Sequence, residues 1–222
     1  MILVFDLDDV LYNESCFVKS GFLAVANYLQ KTHSIRSNNS VKFMEKKFQV
    51  DRRNIFDELL KKYEIYDKKT VKKCLSVYRS HHPKISLYIE AIHCLKRFMN
   101  YPLYIVTDGN KMVQKNKIIA LGLNKMVKSF ILTSNYGLKN SKPSPYCFLK
   151  ICEKEKVRPK EVAYIGDNPQ KDFVGIKPLG FKTIRVLKSK FGRNKVNKKY
   201  DAEFTIKSLK YLTPDLLNRL FA

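Results

Sequence analysis

The chain has 222 residues, 45% of them hydrophobic and 28% charged, so it can bury one substantial core, or one core with a smaller appended domain, without disulfides. No stretch approaches the roughly 20 apolar residues of a membrane span, and acids arrive at Asp6 where a signal peptide would still be apolar; the expectation is a cytoplasmic protein with no membrane partner. The net charge of +23 admits nucleic acid, membrane surfaces or anionic metabolites as partners without choosing among them, because lysine pairs such as Lys46-Lys47, Lys61-Lys62, Lys72-Lys73 and Lys198-Lys199 fall mostly in helical-looking, solvated stretches.

In chain order, residues 2–5 form a short apolar run of the kind that becomes a buried parallel strand. The runs at 103–106, 162–165 and 183–186 repeat it, with 130–132 a weaker fifth. Helical spacing fills the segments between them, at 89–99, 112–121 and 145–154, and this alternation predicts an open α/β sheet. Residues 13–84 break the alternation. Apolar residues there recur only at helical spacing: Phe17, Phe22, Val25 and Leu29; Val41, Met44 and Phe48; Ile55, Leu59, Leu60 and Tyr63; Val71, Leu75 and Tyr78. The expectation is therefore a Rossmann-like parallel sheet built from 1–12 and 85–222, with a helical bundle, 13–84, inserted after the first strand. Cys16, Cys74, Cys94, Cys147 and Cys152 are odd in number and scattered, as buried or idle thiols would be.

In such a sheet ligands bind beyond the carboxyl ends of the strands, so the polar residues that follow each apolar run are the candidates. These are Asp6-Leu7-Asp8, then Thr107-Asp108-Gly109-Asn110, then Lys142-Pro143 ahead of a helix, and last Gly166 to Asp172, "GDNPQKD". Each alone could be a turn or a helix cap. Together, carboxylates from two strand ends can hold Mg²⁺, while a hydroxyl and an ammonium grip a phosphate beside it. Gly109 and Asn110 suit a loop whose N–H groups face an anion at a helix start. His81-His82 has no acidic or cysteine companions at ligand spacing and reads as a surface pair; Arg52-Arg53 reads as solvated.

These four stretches resemble the motifs of the haloacid dehalogenase superfamily, its phosphatase branch in particular. Asp6-Leu7-Asp8-Asp9-Val10 matches the first motif, Thr107 in "YIVTDGN" the second, Lys142 in "SKPSPYCF" the third, and Asp167 with Asp172 the fourth, in order and over nearly the whole chain. The insertion lies where that superfamily places a helical cap, and "YDAEFTIKSLKYL" is similar to its last strand and helix.

The resemblance implies that Asp6 is a nucleophile forming an aspartyl-phosphate and that Asp8 protonates the leaving oxygen and then takes a proton from water, a role that calls for a raised pKa. It implies that Thr107, Asp108, Gly109 and Lys142 bind the phosphate, and that Asp6, Asp8 through its carbonyl, Asp167 and Asp172 surround Mg²⁺. Asp9 is expected in a turn, outside the chemistry. The tyrosines and phenylalanines of the insertion recur at helical spacing, as core residues do, although Tyr12 and Phe17 fall where a cap entrance would be. The acid at Asp8 is absent from dehalogenases of the superfamily, which directs the reading to a phosphomonoester of a small metabolite, a sugar phosphate or a nucleoside monophosphate. A phosphomutase using the same Asp6 and Asp8, and a basic protein that binds nucleic acid or processes its ends, remain as alternatives.

Overall fold

A computed structural model of the chain describes residues 1–189, 191 and 196–222. The chain divides into two compact units, Met1–Asn13 with Ser86–Ala222, and Glu14–Ile85.

The first unit is built on a parallel sheet. Its strands are β1 (Ile2–Phe5), β2 (Leu103–Thr107), β3 (Ser129–Leu132), β4 (Val162–Gly166), β5 (Lys182–Val186) and β6 (Phe204–Ile206), in the spatial order β3-β2-β1-β4-β5-β6. β-branched and aromatic residues dominate these segments, and β1, β2 and β4 are buried at every position because both faces of the sheet are covered. On one face Ile2, Val4, Tyr104, Val106 and Tyr164 pack with Phe148 and Ile151 from a helix, and with Phe173, Ile176 and Phe181.

Register fixes what meets at the carboxyl edge. Phe5 is level with Ile105 and with Ile165, and the Asp6 N–H donates to the Ile165 carbonyl at 2.9 Å, so Asp6 emerges between the ends of β2 and β4. The chain leaves β3 on one flank of β1 and returns as β4 on the other. That reversal of strand order makes the crevice between β1 and β4 the topological switch point, where open α/β sheets bind ligands.

Of the helices in this unit, Ile89–Arg97, Lys111–Ala120, Tyr146–Glu155 and Pro214–Phe221, the second bears on the site. Asn110 caps it by accepting from the N–H groups of Met112 and Val113, and Gly122 follows its end with φ +69°, a left-handed position that suits glycine. Its buried residues are Val113, Gln114, Lys117 and Ile118, an inward stripe at helical spacing with two polar members.

The second unit is helical throughout: Glu14–His33, Ser37–Val50, Ile55–Lys62 and Lys68–Ser80. Val25, Ala26, Leu29, Met44, Leu59, Leu60 and Cys74 form its core, with an aromatic cluster in which Tyr78 packs on Phe17, Phe22 and Phe56. Gly21 is required here, since a Cβ at that position would come within 2.4 Å of the Tyr78 ring.

The histidine pair is not the surface pair expected. His81 is half-buried, 4.9 Å from the ring of Phe17 by centroid, with its Nδ1 2.7 Å from the Tyr78 carbonyl; only His82 is a surface residue. Phe17 is core. Among the cysteines Cys16 is exposed and the others are buried.

Candidate active site

β1 ends in Asp6, β4 is followed by Asp167, and Asp172 returns from the loop beyond; one carboxylate oxygen from each lies within 4.8 Å of the others, and all three residues are buried. Carboxylates this close repel, and among the described residues one buried cation lies against them. Lys142 Nζ lies 3.0 Å from Asp6 and 2.9 Å from Asp172, and donates to the Tyr164 hydroxyl at 2.9 Å. Burial works against the Lys142 charge, but Asp172 and Asp6 overcome it and hold the ammonium well above its usual range.

The balance remains in deficit. Burial, with the charges of Asp172 and Asp8 adding to it and Lys142 opposing it, pushes Asp6 up to about 6. Burial and the charges of Asp6 and Asp172 push Asp167 up to about 8. A divalent cation would remove that strain. The residues present fit one: they are hard oxygen donors, converging and poorly neutralised.

Asp172 does different work from its neighbours. One of its oxygens accepts the backbone N–H groups of Asp167 and Asn168, at 3.0 and 2.8 Å, and the other faces the Tyr164 hydroxyl and Lys142. It holds the loop that carries Asp167. Gly166 accommodates this contact, because a Cβ there would stand 2.6 Å from an Asp172 oxygen.

A second network surrounds Asp8. Its Oδ1 accepts from Lys117 Nζ at 2.7 Å and from the Tyr12 hydroxyl at 2.5 Å, and its Oδ2 accepts from Gln114 Nε2 at 2.8 Å. Burial alone would raise the Asp8 pKa. The Lys117 charge and the bonds from Lys117, Tyr12 and Gln114 outweigh it, and the carboxyl is held below its usual range, opposite to the expected direction. Tyr12, expected at an entrance, is fully buried with its hydroxyl on Asp8. Asp9 adopts φ +58°, the left-handed conformation of a turn residue.

Thr107 ends β2 and accepts from Gln114 Nε2 at 2.6 Å. The Asp108 carboxylate ties loops together: Oδ1 accepts from Thr133 at 2.7 Å and from the Lys142 N–H at 3.2 Å, and Oδ2 lies 3.6 Å from Lys171. Gly109 takes φ +124°, a conformation that favours glycine. The N–H groups of Met112 and Val113 are occupied by the Asn110 cap, which narrows the expected anion site to the backbone nearer Gly109.

Two clusters therefore meet at one sheet edge: Asp6, Lys142, Asp167 and Asp172 in one, Asp8 and Thr107 in the other. Gln114, Lys117 and Tyr164 were not expected to take part. Gln114 and Lys117 lie on the buried side of the helix that contains them.

The sequence pattern of haloacid dehalogenase-like hydrolases matches residues 3–186. The chain belongs to that family of enzymes. Glyceraldehyde 3-phosphate phosphatase of Methanocaldococcus jannaschii is 29% identical over 97% of this chain and 96% of its own length. In structure the chain is similar to a 2-haloacid dehalogenase from Pseudomonas syringae pv. Tomato, with a TM-score of 0.68 at 19% identity and 98% of each chain covered. It is also similar to a HAD phosphatase from Thermococcus onnurineus, with a TM-score of 0.59 at 22% identity and 94% of each chain covered. No helix among the described residues is long and apolar enough to cross a membrane.

Proposed function

We propose that the protein is a Mg²⁺-dependent phosphomonoester hydrolase that works through an aspartyl-phosphate on Asp6, with a small phosphorylated metabolite as substrate. The observation that carries this reading is the buried set of Asp6, Asp167 and Asp172 around Lys142 at the switch point of the sheet. Relatives named as phosphatases support the phosphoryl chemistry, and those named for glyceraldehyde 3-phosphate point to a short sugar phosphate.

Asp6 and Asp167 would hold Mg²⁺ with the Asp8 carbonyl, while Asp172 anchors the loop beneath. When bound, the ion would neutralise the carboxylates and the phosphate and permit an anionic nucleophile to approach a dianion. An Asp6 oxygen attacks phosphorus as the bond to the ester oxygen breaks, and Asp8 protonates that leaving oxygen. Water then attacks the aspartyl-phosphate, Asp8 accepts its proton, and phosphate departs with Asp6 restored. The pairing of Asp8 with Lys117 favours the ionised form from which the water step begins, and the proton Asp8 takes from water is the one it gives to the leaving oxygen of the next ester. Lys142 and the Thr107 hydroxyl stabilise the phosphoryl oxygens, with the backbone at Asp108 and Gly109 beside them. An acid at Asp8 sets this chain apart from carbon–halogen chemistry, which has no leaving oxygen to protonate. The helical unit, inserted between the strands that carry Asp6 and Thr107, is the part of the chain from which we infer the specificity residues come.

The test is phosphate release from a panel of phosphomonoesters that includes glyceraldehyde 3-phosphate, hexose phosphates and nucleoside monophosphates, with Mg²⁺, beside Asp6→Asn. The wild type should turn over short sugar phosphates and the variant should fall by about 10³-fold or more while remaining folded. Full activity in Asp6→Asn would remove the nucleophile from the mechanism.

A further inference from the structure

The Gln114 carboxamide lies between two side chains of the site, and its Nε2 is 2.8 Å from Asp8 Oδ2 and 2.6 Å from Thr107 Oγ1. Gln114 is 1% exposed. An amide nitrogen has two hydrogens, and here each has one acceptor. The orientation of the amide is not free. Asp8, gripped on its other oxygen by Lys117 and Tyr12, is an acceptor only, so the nitrogen and not the oxygen of Gln114 must face it.

That choice passes to Thr107. Its oxygen receives a hydrogen from Gln114, and its own O–H is left with a single contact among the described residues, a long one of 3.5 Å to the Asp108 carbonyl. Gly109 borders this arrangement, and a Cβ there would lie in ordinary contact with the Gln114 side chain at 3.4 Å.

We propose that Gln114 is a positioning residue that turns the Thr107 hydroxyl into a committed donor toward a phosphoryl oxygen and couples it to Asp8. The proposal rests on the phosphatase reading above and adds to it a residue outside the four strand-end motifs. Gln114 touches no reacting atom; it acts through Thr107. Its loss should therefore resemble the loss of the Thr107 hydroxyl and should add little once that hydroxyl is gone.

The experiment is a double-mutant cycle read by calorimetric binding of sodium tungstate, a phosphate mimic, to the whole protein in the presence of MgCl₂. Gln114→Met keeps the length of the side chain and removes both donors. Gln114→Glu keeps the shape and leaves at most one hydrogen, shared with the Asp8 carboxylate, so that Thr107 loses its donor; it serves if the first variant melts early. Thr107→Val should weaken tungstate binding about tenfold, Gln114→Met by a similar factor, and the double variant no more than Thr107→Val alone. Gln114→Glu should weaken it at least as much as Gln114→Met. Wild-type affinity in Gln114→Met, additive losses in the double variant, or a wild type that binds no tungstate overturns the proposal. Phosphate release by the wild type and by Asp6→Asn is measured in parallel. Tungstate binding with the expected cycle but no turnover of any ester sinks the phosphatase reading and leaves the Gln114 coupling standing.

Discussion

The ammonium of Lys142 lies 3.0 Å from the carboxylate of Asp6, and neither side chain is more than 6% exposed. Removing one member of a buried pair leaves the other charged and unpaired, which costs about 3–5 kcal/mol. Lys142→Met should therefore lower stability by about that amount, measured by denaturant unfolding without Mg²⁺, because both Asp6 and Asp172 lose their cation. Added Mg²⁺ should recover part of the loss, since it supplies positive charge to the same carboxylates. A Lys142→Met protein as stable as wild type without metal would show that the carboxylates find another counter-charge.

Gly175 approaches the backbone after Lys142 closely: a Cβ at 175 would stand 1.7 Å from the Pro143 carbonyl oxygen. A carbonyl oxygen cannot rotate away as a side chain would, so Gly175→Ala must displace the loop that presents Lys142. The expected cost is about 1–3 kcal/mol of stability, as for an overpacked core. The loop shift should also lower kcat by about tenfold, because small misplacements of a positioned group are expensive in rate. Thermal melting and steady-state kinetics on the best substrate of the panel check both effects.

Much of the site was legible because Asp6, Thr107 and Asp167 each sit at or directly after a short apolar run, and a parallel sheet gathers such positions at one edge. Five of the six strands and the helical stretch after the first followed from apolar runs and helical spacing, whereas β6 was expected only from the resemblance. The charge state of Asp8 did not follow, because it is set by Lys117, 109 positions away in sequence. Gln114 and Lys117 are polar residues of a helical stretch that nothing in the neighbouring sequence marks out. Their place beside Val113 and Ile118 on its inner stripe was visible only with the helix phase fixed against the sheet. His81 was misplaced for a similar reason: its partners Phe17 and Tyr78 come together only when the helical unit packs.

Cysteine reactivity offers a simple check on that packing. Cys16 is exposed, whereas burial pushes the thiols of Cys74, Cys147 and Cys152 up to about 11 and that of Cys94 up to about 12. The thiolate is the reacting form, so these four combine poor access with little ionisation. In native buffer a thiol reagent should label Cys16 rapidly and the others only as fast as the protein opens. In denaturant all five should react together. Rapid native labelling of Cys74 would contradict the core of the helical unit.

The coupled carboxylates predict how Mg²⁺ stabilisation depends on pH. Asp6 is raised from 3.8 to about 6 and Asp167 from 3.8 to about 8, each first by burial and then by neighbouring carboxylates. A carboxyl whose folded pKa lies above its unfolded one binds its proton more tightly in the folded protein. Its stabilising contribution is complete below the unfolded pKa and is lost as pH rises through the folded one. Metal-free protein should thus lose stability through these two groups between about pH 4 and about pH 8. Mg²⁺ requires the ionised carboxylates and should act in the opposite direction. At about pH 8 and a metal concentration near 100 times Kd, linkage gives about 2.7 kcal/mol, a rise in Tm of roughly 5–10 °C for a chain of this size. At about pH 5, where both carboxyls hold protons in the folded state, the rise should shrink to a degree or two at the same Mg²⁺ concentration. Thermal melts across this range, with Asp167→Asn as control, decide the matter. A Mg²⁺ shift independent of pH, or one retained in Asp167→Asn, would place the cation elsewhere on the protein.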